Sequence, residues 1–144
     1  MKFDYLVNLI LEDTDPVIEF ASMAHEKWRK NWDPEGTGKP RIKKNSDGTE
    51  GDINVPFDKL HSDWKRENLA AGEAAKEAVE KFPDDEEAGA EYIHIKWMER
   101  NPREEWNADQ HVPYEELPDK EKEKEKLQYR IMKSLLDVEE PYDE

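Results

Sequence analysis

An all-α fold, or a mostly α fold with one minor hairpin, follows from three observations on this 144-residue chain. Apolar residues recur at three- to four-residue spacing in several separate segments, the period of a helix face. Two short signatures each occur twice and in the same order. His94-Ile95-Lys96-Trp97 precedes Val112-Pro113-Tyr114-Glu115-Glu116-Leu117, and His25-Glu26-Lys27-Trp28 precedes Val55-Pro56-Phe57-Asp58-Lys59-Leu60. Finally, five Trp, five Tyr and four Phe stand in a chain that is 41% charged, which describes a real core inside a heavily charged skin. The matched signatures predict a pseudo-twofold pair of helical repeats around one core, with a pocket between them. Residues 17–82 form the weaker repeat and residues 83–138 the clearer one, within a single domain 1–144 that ends in an acidic tail, 139–144. Two copies with unequal connections are too few for a solenoid.

Taken in order, Phe3, Leu6, Val7, Ile10 and Leu11 suggest a short amphipathic helix, while the alternation Phe3, Tyr5, Val7, Leu9 keeps a strand open. Thr14-Asp15-Pro16 starts the next helix, an oxygen-bearing cap before a proline at the first helical position. Val17, Phe20, Ala21, Ala24 and Trp28 line its face as far as about Trp32, and Asp33-Pro34 ends it. Residues 34–54 have no period but several glycines, a loop or flexible hairpin. Gly36-Thr37-Gly38-Lys39 imitates a phosphate loop without its full spacing or its flanking strand and helix, so that function is rejected. The basic cluster Lys39, Arg41, Lys43 and Lys44 is read as solvated, with a grip on an anion as the alternative.

A long helix follows, with Leu60, Trp64, Ala71, Ala75, Ala78, Val79 and Phe82 near one face, broken at Pro83-Asp84. The next helix opens on acidic residues, as its dipole prefers, carries Ile93 and Trp97 on one side, and stops at Asn101-Pro102. A polar connection holding Trp106 leads to Leu117-Pro118-Asp119 and a last helix. Alternating Lys and Glu occupy 120–126, and the apolar face runs through Leu127, Ile131, Leu135 and Val138.

Composition excludes several functions. A net charge of −15 repels phosphate backbones and anionic lipid, so neither direct nucleic-acid binding nor membrane binding is expected. Without cysteine there is no disulfide, thiol nucleophile or thiolate metal site. No stretch approaches the ~20 apolar residues of a membrane span, and the N-terminus is a poor signal peptide, which predicts a cytoplasmic protein. His25, His61, His94 and His111 form no H-E-x-x-H, and no metal or other cofactor is expected. Ser22, Ser46, Ser62 and Ser134 sit in no nucleophile elbow, so the chain reads as non-enzymatic. Among the tryptophans, Trp28, Trp64 and Trp97 fall on helix faces, whereas Trp32 and Trp106 fall at or beyond helix ends, where a ring can stack on a planar ligand.

Together the signatures resemble the ryanodine receptor repeat family, small helical modules that also occur in short bacterial and phage proteins. The family pattern is His-x-x-Trp on a helix, a connection with Gly-Trp-x-Tyr-Gly and Lys-x-His-Pro, then Val-Pro-Tyr-x-x-Leu and a charged helix. The likeness covers roughly residues 17–136. Between Trp97 and Val112 the Gly-Trp-x-Tyr-Gly segment is absent, and Trp106 and His111 stand as counterparts of its Trp and His. The resemblance implies a module that binds adenine nucleotides or nucleotide-derived signals. Its ligand-binding residues would be His94, Lys96, Trp97, Arg100, Trp106, His111 and Tyr114, with His25, Trp28 and Trp32 as weaker first-repeat candidates; Lys96 and Arg100 would serve the phosphates. The alternative is an acidic, phage-encoded inhibitor or adaptor that mimics nucleic acid and captures a basic protein.

Overall fold

The computed structural model describes residues 15–139. The expected N-terminal helix or strand over 3–11 lies outside the described residues, as does nearly all of the acidic tail. The described chain is mostly helical: α1 (Pro16–Trp32), a hairpin of β1 (Ile42–Lys44) and β2 (Glu50–Asp52), then α2 (Ser62–Lys81), α3 (Glu86–Arg100) and α4 (Asp119–Glu139). None of these helices is long and apolar enough to cross a membrane. The chain divides into two compact units within α2, between Ala70 and Ala71.

In the first unit α1 begins where the sequence predicts. The Asp15 carboxylate accepts from the Val17 and Ile18 N–H groups at 2.8 and 3.4 Å, and Pro16 occupies the position whose N–H would be orphaned. Val17, Phe20, Ala21 and His25 form its buried face. The helix ends at Asp33, whose carboxylate then organises the following loop. It accepts from the N–H groups of Thr37, Gly38 and Lys39, from the Thr37 hydroxyl and from the Asn54 amide. Desolvation opposes its charge, but the bonds from Thr37, Asn54 and Gly38 outweigh it and hold the carboxyl down at about 2. Three of the four peptide N–H groups of the phosphate-loop look-alike are therefore spent on an internal anion, and the fourth, of Gly36, donates to the Asp33 carbonyl.

The residues at 34–54 do form the minor hairpin, antiparallel with Ile42 opposite Asp52 and Lys44 opposite Glu50. Gly48 turns it at φ 89°, a conformation open to glycine. Three of the basic residues lie over rings: Lys39 Nζ sits 4.0 Å from the Trp32 centroid, with Arg41 at 5.4 Å, and Lys43 Nζ is 5.7 Å from that of Trp64. Leu60 is buried, but it belongs to a 3-10 turn at Phe57–Lys59, and α2 starts only at Ser62.

In the second unit, Asp85 caps α3 through the Ala88 N–H. Glu86 meets Arg130 and His94 meets Glu125, so α3 and α4 run in opposite directions. Arg130 grips Glu86 with two bonds of 2.7 and 2.8 Å. Among the described side chains of α4, Tyr129 and Met132 are buried, whereas Leu127, Ile131 and Leu135 are half-buried, so the core face is rotated from the expected stripe, whose Val138 side chain lies outside the described ones. The cause is Gly89 on α3: its missing side chain leaves room for the Tyr129 ring, which a Cβ there would overlap. Tyr129 also donates its hydroxyl to the Phe82 carbonyl, fixing α4 against the end of α2.

Candidate functional site

Each unit places its His-x-x-Trp and Val-Pro signatures in the same local geometry. His25 Nε2 donates to the Val55 carbonyl at 2.7 Å, and His94 Nε2 donates to the Val112 carbonyl at 2.7 Å. Each imidazole stacks on the tryptophan three residues on, with centroids 5.7 Å apart and planes at 13° for His25–Trp28, and 5.8 Å and 12° for His94–Trp97. Pro56 and Pro113 share φ −56° and ψ near 150°, and each opens a 3-10 turn that ends on a buried leucine, Leu60 or Leu117. The physical reason is common to both. A proline fixes the backbone and removes a donor, so the preceding carbonyl is left facing the core and a buried imidazole N–H satisfies it.

Beside each histidine lies a cleft, wholly within its own unit. The second holds about 340 Å³ and is lined by His94, Trp97, Trp106, Leu117 and a polar set, Gln110, Glu121, Lys124, Glu125 and Gln128. The first holds about 200 Å³ and is lined by His25, Trp28, Leu60 and Trp64, with Ile53, Glu67 and Asn68. Beyond the shared His, Trp and Leu, four lining positions correspond when the two signatures are aligned, Ile53 with Gln110, Trp64 with Glu121, Glu67 with Lys124 and Asn68 with Glu125, whereas Trp106 and Gln128 have no counterpart in the first lining.

His94 has acceptors at both ring nitrogens, the Val112 carbonyl at Nε2 and the Glu125 carboxylate 3.4 Å from Nδ1. Burial opposes its charge, but the Glu125 contact and the carbonyl outweigh it and hold the imidazole above the ordinary histidine range. The pair is nearly dry: the His94 side chain is 3% exposed and that of Glu125 13%.

Of the sequence-predicted residues, the second cleft brings together His94, Trp97 and Trp106. Trp106 stands in a 3-10 turn at Glu105–Asn107 and is 71% exposed. That turn is anchored by Asn107, which is fully buried and bonds the Glu104 N–H and the Pro102 carbonyl. His111 supports the wall from behind, its ring tilted against Trp97 at 5.9 Å and its Nε2 donating to the Asn101 carbonyl. Tyr114 is buried beside Glu87 and does not line the cleft; burial, then Glu87, push that phenol above its usual range. Lys96 leads elsewhere, to Glu99 at 3.4 Å and over the Tyr92 ring, and neither it nor Arg100 lines the cleft. In the first unit His25 and Trp28 line the smaller cleft, while Trp32 stacks outward on Trp28 and is covered by Lys39.

Sequence reasoning missed Gln110, Glu121, Lys124, Glu125 and Gln128. For Glu121, Lys124 and Glu125 the signal was the register after Leu60 and Leu117, which makes Glu125 the counterpart of Asn68. The chain matches no family model, no curated protein and no solved structure in the comparisons made.

Proposed function

We propose that the protein is a non-catalytic small-ligand-binding module of the ryanodine-receptor-repeat kind, acting in the cytoplasm, with its site in the second cleft. The observation that carries this reading is an indole, Trp106, left 71% exposed at the mouth of a cleft that a second indole, Trp97, also lines. A large ring held in water by an anchored turn loses burial energy that a stacked ligand restores. Its ligand is a planar ring of the nucleotide-derived class. The matched histidine-to-carbonyl geometry of the two units supports their origin as repeats.

The test is titration with nucleosides and nucleotides, read by Trp fluorescence and melting temperature. Quenching should accompany a rise in stability, ~2.7 kcal/mol at one hundred times Kd. A panel that neither quenches nor shifts the melting temperature removes the reading. In that case the second reading takes its place, an acidic inhibitor or adaptor of a basic protein, favoured by the net charge of −15 and by exposed Glu115, Glu116, Asp119 and Glu123 around the start of α4. Capture of such a partner weakens steeply with salt, whereas stacking does not.

A further inference from the structure

The polar lining of the second cleft is rich in acceptors. Glu121 and Glu125 contribute carboxylates, Gln110 and Gln128 contribute amides, and the one lysine of the lining, Lys124, has its Nζ 3.3 Å from Glu121. A phosphate brought to this mouth meets carboxylates, and the nearest cation already has an anionic partner. The glutamates are suited instead to N–H groups. Glu125 is committed to His94 and Glu121 meets Lys124 through Oε2, so the Oε1 of Glu121, on a side chain 23% exposed, is the acceptor a ligand can reach.

The first unit shows what a closely related cleft holds at that position. Where the second has Glu121 the first has Trp64, a planar ring whose Nε1–H donates to the Asn45 amide oxygen at 2.8 Å. The first cleft thus has a flat indole at this position, its N–H already taken by Asn45, whereas the second has a carboxylate and the larger volume, about 340 against 200 Å³.

Resting on the reading of the second cleft as a ligand site, we propose that it selects planar heterocycles bearing an exocyclic amino group, in unphosphorylated form. The ring would lie against Trp97 and Trp106, with Glu121 accepting the amino hydrogens. Carboxylates and amides read such edges by paired hydrogen bonds, each pair giving discrimination of about tenfold or more.

The experiment compares matched compounds by Trp quenching: guanosine, inosine and guanosine monophosphate, then adenosine, purine riboside and adenosine monophosphate. The amino-bearing nucleoside of at least one set should bind about tenfold tighter than its des-amino partner, and tighter than its monophosphate. Glu121→Gln, with the melting temperature as a check that the fold is kept, should bring the amino and des-amino compounds to within about threefold, because an amide is a poorer acceptor for an amino group than a carboxylate. Monophosphates that bind as well as the nucleosides, or equal affinity within both amino and des-amino pairs, would overturn this inference and leave the cleft as a ligand site. A Glu121→Gln variant that folds and keeps full discrimination overturns it too. If no compound binds, the functional reading itself fails and the selectivity falls with it.

Discussion

In both units a buried histidine closes the carbonyl ahead of a proline, a tryptophan stacks on that histidine, and a leucine plugs the turn that follows. Around this common frame the clefts differ in kind. The first is smaller and lined by the Trp64 indole, with an amide, Asn68, where the second has Glu125. The second is larger, edged by charge and opened by an exposed indole from a turn that the first unit replaces with the Asp33-centred loop and hairpin. The positions that satisfy the backbone are the ones held in common, because an unpaired buried carbonyl costs about as much as one hydrogen bond wherever it occurs. Lining positions carry no such obligation, and there the units part.

The largest expected effect breaks this parallel. His94→Leu should destabilise by ~3–5 kcal/mol, because it strands the Glu125 carboxylate as well as the Val112 carbonyl. His25→Leu strands the Val55 carbonyl and should cost ~1–3 kcal/mol. Urea unfolding of the two variants measures the difference, and equal losses would mean that the Glu125 pair adds nothing.

Gly89→Ala comes next. The added methyl overlaps the Tyr129 ring, and the loss expected from overpacking is ~1–3 kcal/mol. At Gly51 of β2 an added Cβ would meet only the Asn45 side chain, at 3.9 Å, so Gly51→Ala is the control, read by the same unfolding curves.

A smaller effect lies in pH. Because the folded pKa of His94 is raised above its ordinary value, the folded chain holds a proton that the unfolded chain has begun to lose. The stability it contributes is fully present below about 6.5 and is lost as pH rises through the raised value. Melting temperature should therefore decline across that window, and Glu125→Asn, which copies Asn68 of the first unit, should flatten the decline. An unchanged slope in the variant would show that the carboxylate does not set it.

The smallest stability effect belongs to Trp106→Ala, within about 0.5 kcal/mol for an exposed side chain. The same substitution should abolish ligand-induced quenching and thermal shift, which separates the rim of the cleft from the frame beneath it.

How much of this was legible can be judged from single residues. Asp15-Pro16, Asp33-Pro34 and Asn101-Pro102 mark helix ends because capping and proline geometry are local, and α1 and α3 begin or end at them. The His-x-x-Trp and Val-Pro signatures were visible, but not that the first bonds the second, since nothing along the chain ties His94 to the Val112 carbonyl. The apolar stripe of α4 was misjudged because hydrophobicity does not report a neighbour's missing side chain; Gly89 draws Tyr129 inward and leaves Leu127 at the margin. The resemblance assigns Lys96 and Arg100 to phosphates as the cations nearest Trp97 in the chain, yet a helix turns its successive residues to different sides and neither lines the cleft. The charged lining on α4 was hidden in a run of alternating Lys and Glu that reads as a solvated face.

The pair of imidazole-to-carbonyl bonds has a spectroscopic consequence. A ring N–H locked at 2.7 Å to a peptide oxygen, on a side chain only a few per cent accessible, exchanges slowly with solvent. Its proton should resonate well downfield of the amide region in a one-dimensional spectrum. One such line is expected from His25 and another from His94, each a single-atom witness to its own half of the chain. Followed through heating or denaturant, the order in which the two lines vanish would tell whether the halves melt as one cooperative body or in sequence.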